Sequence, residues 1–322
     1  MEVAVKISHI NKYFGKRQIL HDVTFETYAG EVFGFLGPNG AGKTTTIKMI
    51  VGMLGVDEGE ITICGKNTKD DFEGAMQNIG AIVENPEMYK YMSGLDNLKQ
   101  YARMRKGVTE ERIREVVDFV GLSNRINDNV SKYSLGMRQR LGVAQALLHK
   151  PKVLILDEPT NGLDPAGIKN LRDILKNLAH NEGVCVIVSS HLMSEMELMC
   201  DRVGIIANGK LIDVKTLEQL IAEANGADTH YILNVDNAHA AASIIKEKTS
   251  FSNVASNQIN LLDEYHLEVS LSSREKGCVK ISEINKALIL NDILLHTTSV
   301  KETKKLEDAF IEITSGGGSQ IA

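Results

Sequence analysis

The chain has 322 residues, enough for a large core and more than one domain. Its 43% hydrophobic and 24% charged residues are ordinary for a water-soluble protein, and a net charge of -6 with no basic, aromatic-laced stripe argues against a nucleic-acid partner. No apolar run approaches the roughly 20 residues that span a bilayer, and the N-terminus has no charged segment followed by an apolar signal core. Any membrane domain it serves is therefore expected on a separate polypeptide. Cys64, Cys185, Cys200 and Cys278 lack paired metal-ligand spacing and read as buried, reduced thiols of a cytoplasmic protein.

Strand-like runs occupy residues 3–8, 23–28 and 31–36. The last leads directly into Gly37-Pro38-Asn39-Gly40-Ala41-Gly42-Lys43-Thr44, followed by Thr45, with a helix expected from Lys43. The glycines let the backbone turn tightly so that successive N–H groups face a β-phosphate, and the helix adds its positive end. Lys43 supplies a flexible cation to the β- and γ-phosphates, and the Thr44 hydroxyl is placed to ligate Mg²⁺. Three glycines in an ordinary helix-capping turn would cost backbone entropy with no packing return. The motif therefore reads as a nucleoside triphosphate site.

From about residue 86 to 150 the pattern turns helical, with apolar residues at helix spacing over 95–104, 110–120 and 135–148. After Pro151, the four apolar residues Val153 to Leu156 read as a strand buried on both faces. Asp157 and Glu158 then emerge at its carboxyl end, where open α/β sheets bind ligands. Asp157 would hold Mg²⁺ through its water shell, and Glu158 would act on the attacking water as general base or water-positioner. A further apolar strand, Val184 to Val188, precedes His191.

Residues 223–228 read as a linker. Beyond it the pattern alternates strand 231–235, helix 238–248, strands 258–262 and 266–271, helix 279–291 and strand 293–300. That β-α-β-β-α-β order fits a small ferredoxin-like sandwich. A last helix is expected over Lys305 to Ile313, and 315–322 as a flexible tail. This extension, 229–314, holds no compact set of His, Cys or acidic residues that suggests catalysis.

Between the two nucleotide motifs stands Lys132-Tyr-Ser-Leu-Gly-Met-Arg-Gln-Arg-Leu, and after them come Asn161-Gly-Leu-Asp164 and Val186-Ile-Val-Ser-Ser-His191. In this order the motifs resemble those of the nucleotide-binding subunits of ABC transporters, over approximately residues 1–222. The resemblance implies an α/β P-loop ATPase core with a helical subdomain at 86–150, followed by the small α+β C-terminal domain. It also implies ATP and Mg²⁺ as ligands, and a homodimer, or a heterodimer with a second such subunit, sandwiching ATP. Localisation would be cytoplasmic, peripheral on the inner face of the membrane through a separate permease. Ser134 and Gly136 match the signature motif that grips nucleotide on the opposite protomer, although Leu135 and Met137 depart from its usual L-S-G-G-Q pattern. Asp164 matches the acid linking the two sites, and His191 the switch histidine near the γ-phosphate. Phe14, with Tyr13 as the alternative, falls where the family stacks adenine; such stacking contributes roughly 1 to 3 kcal/mol and selects little among bases.

Glu84 stands where the family usually carries glutamine. It keeps an oxygen for Mg²⁺ or the attacking water but adds a negative charge, which beside another at 4 Å costs about 4 kcal/mol unless a metal or lysine compensates. Glu84, the Y-S-L-G-M signature and the L-E-D-A-F-I-E-I-T run near the C-terminus together resemble the subgroup exporting bacitracin, lantibiotics and related peptides. The surface from Glu84 to Tyr91 is then where a permease docks. The rival class is a non-transport ATPase acting as a nucleotide-gated clamp. Clamps on DNA insert a long coiled coil between the nucleotide motifs, and translation-type members carry two cores per chain; neither feature is present.

Overall fold

The computed structural model describes residues 2–224, 228–248, 259–272 and 277–300. Two compact units divide between Leu217 and Glu218. The expected helix over 305–313 and the tail lie outside the described residues, as do residues 225–227 of the expected linker.

In the first unit, β1 (Val3–Phe14), β2 (Arg17–Tyr28), β4 (Glu58–Ile63) and β5 (Lys66–Asn67) form an antiparallel sheet in the order β2-β1-β4-β5. β1 and β2 each run to 12 residues, beyond the expected 3–8 and 23–28. The reason is irregular pairing, with four register shifts along the two strands, of which the middle two set the core face. Ile7 faces Phe25 and Ile10 faces Val23, so β1 carries an extra residue; β2 then carries one between Val23 and Leu20. His9 (φ 54°) and Asp22 (φ 52°) absorb these offsets, which return Ile7, Ile10, Leu20 and Val23 to one buried face. A period-2 reading of the sequence stops where the bulge breaks the alternation.

The second sheet has the order β10-β9-β3-β8-β7-β6, built from β3 (Val32–Leu36), β6 (Ile79–Ile82), β7 (Val153–Leu156), β8 (Cys185–Ser190), β9 (Arg202–Ala207) and β10 (Lys210–Thr216). The five strands from β9 to β6 are parallel, and β10 returns antiparallel on the edge. Every residue of β3, β7 and β8 is buried, as expected of strands covered on both faces. Phe25 of β2 stacks on Phe33 of β3 with centroids 5.3 Å apart, joining the two sheets in one core. Helices α1 (Lys43–Ile50) and α2 (Phe72–Met76) contribute to this core, while α6 (Pro165–His180) and α7 (Met193–Met199) pack on β3 and β8.

Three further helices, α3 (Gly94–Arg103), α4 (Glu110–Phe119) and α5 (Leu135–Leu147), fill the segment between β6 and β7. Each starts at a hydroxyl cap, respectively Ser93, Thr109 and Ser134, whose oxygen accepts an N–H of the first turn. Helix α8 (Leu217–Ala224) straddles the division between units.

The second unit contains β11 (Asp228–Val235), α9 (Ala238–Lys248), β12 (Ile259–Leu261), β13 (His266–Ser272), α10 (Gly277–Leu290) and β14 (Leu295–Val300). Its sheet runs β12-β13-β11-β14 with antiparallel neighbours. Leu233, Val235, Leu267, Val269 and Leu271 alternate onto one face and pack with Ala241, Ile245, Ile284 and Leu288 of the two helices. Among the described residues no helix is long and apolar enough to cross a membrane.

Candidate active site

The parallel order brings the loops after β3, β7 and β8 together at one end of the sheet, because β8 lies between β3 and β7. Gly37 N–H donates to the carbonyl of Ser190 at 3.3 Å, and Ala41 N–H to that of Pro38 at 3.1 Å, which closes the turn. Pro38, Asn39 and Gly40 are exposed at its tip, and Ala41 is buried. Gly42, at φ 112°, is the N-cap of α1 and supplies no side-chain oxygen to its first turn, so no side chain competes with an anion for those N–H groups. The expectation that these glycines bring no packing return is overturned. A Cβ at Gly37 would lie 2.3 Å from the Ile206 carbonyl oxygen, and one at Gly42 2.5 Å from Leu20 Cδ2. Only Gly40 (φ 79°) is needed for its backbone alone, since a Cβ there meets nothing within 4 Å.

Lys43 is buried, and its Nζ donates to the carbonyls of Gly37 at 2.7 Å and Pro38 at 3.2 Å. The same nitrogen lies 3.3 Å from Glu158 Oε1. Glu158 holds φ 48°, a left-handed conformation that costs a non-glycine residue energy. Its other oxygen, Oε2, accepts from Asn161 Nδ2 at 2.9 Å and lies 2.7 Å from His191 Nδ1. Burial pushes the Glu158 carboxyl up, but the hydrogen bonds of His191 and Asn161 and the charge of Lys43 together hold it below the usual carboxylate range. It is therefore ionised at neutral pH.

Asp157 is buried beside it. Ser189 Oγ donates to Asp157 Oδ1 at 2.5 Å and accepts from the Glu158 N–H at 2.9 Å, so one hydroxyl fixes both acids. A second polar bridge lies behind. Glu195 Oε2 on α7 accepts from Thr160 Oγ1 at 2.6 Å and from Ser190 Oγ at 2.8 Å, tying the loop after β7 to the loop carrying His191.

The other sequence candidates stand apart from this cluster. Glu84 (φ 67°) emerges after β6 at the same sheet end; its exposed carboxylate pairs with Lys48 Nζ at 2.8 Å, and that hydrogen bond and charge hold its carboxyl low. No hydrogen bond joins it to Asp157 or Glu158. Ser134 Oγ accepts from Met137 N at 3.2 Å as the cap of α5, and Asp164 Oδ1 from Gly167 N at 2.9 Å as the cap of α6. At Gly136 an added Cβ would meet only Leu163, at an ordinary 3.8 Å, so the chain's own packing does not demand glycine there. Phe14 is 51% exposed and Tyr13 37%, so neither ring belongs to the core.

The sequence profile of the ABC transporter family matches residues 20–161. The ABC transporter ATP-binding protein YhcH of Bacillus subtilis is 49% identical over 315 residues, 98% of this chain and 97% of that protein. The chain belongs to the ABC transporter ATP-binding proteins. The bacitracin transport ATP-binding protein BcrA of Bacillus licheniformis is 35% identical over 325 residues, 98% of this chain and 99% of its own. A solved ATP-binding subunit of an ABC transporter superposes with a TM-score of 0.61 at 29% identity, covering 67% of this chain and 91% of that one. As an ABC ATPase the protein binds ATP and hydrolyses it.

Among the described residues no group of three or more His, Cys, Asp or Glu side chains is arranged to hold a metal ion. What the site offers is a buried carboxylate, Asp157, and the half-buried hydroxyl of Thr44 in the first turn of α1. A hard-oxygen pair of this kind fits Mg²⁺, which keeps much of its shell as water and substrate phosphate.

Ser189, Asn161 and Glu195 escaped the sequence reading. A signal existed for the first: Ser189 and Ser190 end an otherwise apolar, fully buried strand, where hydroxyls must find partners. Ser189→Ala removes the donor to Asp157 and the acceptor for Glu158 N–H, bonds to charged groups being worth about 1.5 kcal/mol or more. Steady-state ATP hydrolysis should fall about tenfold, and unchanged turnover in this variant would show that the hydroxyl is dispensable.

Proposed function

We propose that this ATPase powers a separate membrane permease exporting an antimicrobial peptide, drug or lipid-like molecule, through two cassettes that close over ATP. The observation that carries the reading is full-length kinship with a bacitracin transport protein, which extends past the ATPase core through the C-terminal unit.

In this reading the Gly37–Gly42 loop and Lys43 bind the phosphates, with Thr45 beside Thr44 in the first turn of α1. Thr44 and Asp157 would hold Mg²⁺, which supplies neutralising charge to the β- and γ-phosphates. Glu158 acts on the attacking water as general base or water-positioner. His191 fixes that carboxylate through Nδ1 and faces the γ-phosphate. Phe14 stacks on the adenine. Ser134, with the Gly136 backbone, reaches the γ-phosphate bound to the opposite protomer, and Asp164 links the two sites; the absence of any intrachain need for glycine at 136 supports this. The partner cassette is a second copy or a related subunit, and the pair sits at the inner face of the membrane through the permease. The C-terminal unit, a ferredoxin-like accessory domain over about 229–314, has a structural or regulatory role in preference to binding the transported molecule.

Glu84 belongs to the coupling surface. It stands five residues before Tyr89 and seven before Tyr91, exposed rings 5.9 Å apart, in the segment that would meet the permease. Its pairing with Lys48 in α1 gives that surface a link to the helix that begins at the nucleotide cradle.

The reading is tested by deleting the gene and measuring resistance to bacitracin and related peptides. Resistance should fall, return with the wild-type gene, and return only in part with Glu84→Ala at matched expression, while the purified Glu84→Ala protein keeps its ATP affinity. Unaltered resistance after deletion would remove the exporter assignment. Full resistance with Glu84→Ala would return Glu84 to an ordinary surface pair.

A further inference from the structure

Two lysines are buried among the described residues, Lys43 and Lys12. The first serves the phosphate cradle. The second lies 6% exposed on the inward face of β1, in the position that Ile10 holds one repeat earlier. A charge at a core-facing position is costly unless paired and hydrogen-bonded, and Lys12 is both. Its Nζ donates to the carbonyl of Gly55 at 2.7 Å and to Asp57 Oδ1 at 2.8 Å, and it lies 5.8 Å from the centroid of the Phe14 ring. The other oxygen of Asp57 accepts the Tyr13 N–H at 2.7 Å.

These contacts converge on the tip of β1. The pair holds Tyr13 by its backbone and Phe14 by its ring, a cation over an aromatic face being attractive within about 6 Å. Residues 55 and 57 belong to the connection between α1 and β4, and α1 is the helix whose first residue is Lys43. The exposed rings are thereby tied to the far end of the helix that starts at the phosphate cradle.

We propose that the Lys12–Asp57 pair is a positioning device for the nucleobase, fixing the Tyr13–Phe14 tip relative to the cradle so that a base on the phosphate-anchored nucleotide meets the Phe14 ring. This rests on the reading that Phe14 stacks the base. Lys12 touches no part of the nucleotide in this scheme; it acts through Phe14, and the carboxyl of Asp57, held low by the Lys12 hydrogen bond and the Tyr13 N–H, is the fixed end of the brace.

The experiment compares two probes, MgATP and inorganic tripolyphosphate with Mg²⁺, by calorimetric titration of the full-length chain. Phe14→Ala should weaken MgATP by roughly 5-fold or more and leave tripolyphosphate unaltered. Lys12→Met should weaken MgATP by about threefold or more, again without effect on tripolyphosphate, and should add nothing in the Phe14→Ala background. Asp57→Asn, which keeps an acceptor for the Tyr13 N–H, should fall between Lys12→Met and wild type, and it carries the same cycle if Lys12→Met does not fold. Equal losses for both probes in these variants would make the pair a general structural element and overturn the proposal. Wild-type MgATP affinity in Lys12→Met or, where that variant does not fold, in Asp57→Asn, alongside a weakened Phe14→Ala, would overturn the brace and leave base stacking intact. Wild-type affinity in Phe14→Ala would overturn the stacking reading and the brace with it.

Discussion

Glu158→Gln is expected to lower ATP turnover by at least about 100-fold while leaving MgATP affinity within a few-fold of wild type. The amide keeps the shape and one oxygen for Asn161 and His191, but it loses the charge that faces Lys43. A positioned acid–base group contributes roughly 10²- to 10⁴-fold to a rate, whereas phosphate binding rests on Lys43 and the Gly37–Gly42 loop. Single-turnover hydrolysis measured beside equilibrium binding separates the two quantities. Turnover within a few-fold of wild type would place the water-directing group elsewhere.

Lys43→Ala is expected to do the reverse, abolishing measurable MgATP binding at concentrations that saturate the wild-type protein. The ammonium group is the principal cation placed at the loop, and charge-assisted hydrogen bonds to phosphate contribute about 1.5 to 3 kcal/mol each. In the protein alone, Lys43→Ala also leaves the carbonyls of Gly37 and Pro38 without their donor and Glu158 Oε1 without its cation. Unpaired buried acceptors cost roughly 1 to 3 kcal/mol, so thermal unfolding should shift downward by several degrees. Nucleotide binding at wild-type strength in a folded Lys43→Ala protein would remove Lys43 from the site.

The phosphate loop and the acid pair were legible because they are local: each is one strand followed by a short run of fixed residue types, and the buried strand Val153–Leu156 delivers Asp157 and Glu158 directly. His191 and Glu158 are 33 positions apart, and their contact depends on β7 and β8 being neighbours, which no local pattern states. The same holds for Ser189 and Glu195, whose partners Asp157, Glu158 and Thr160 come from the loop after β7. The glycines were legible as a turn, and Gly40 and Gly42 do hold positive φ, but their packing role was not, since Ile206 and Leu20, which press on Gly37 and Gly42, lie on strands far away in the sequence. β1 and β2 were cut short because bulges at His9 and Asp22 interrupt the alternation that marks a strand. Lys12 carries no local sign of burial; its burial follows from the pairing of β1 with β4, which brings Gly55 and Asp57 to it.

The central claim is that ATP completes its site only when a second cassette supplies the Ser134 end of α5. The direct measurement is light scattering of Glu158→Gln protein with and without MgATP, alone and with its permease, with Ser134→Arg in the same background as the comparison. Glu158→Gln should double its mass on adding MgATP, and the Ser134→Arg double variant should bind MgATP at each protomer and remain monomeric. A Glu158→Gln protein that stays monomeric with ATP bound, even beside its permease, would contradict the two-cassette site.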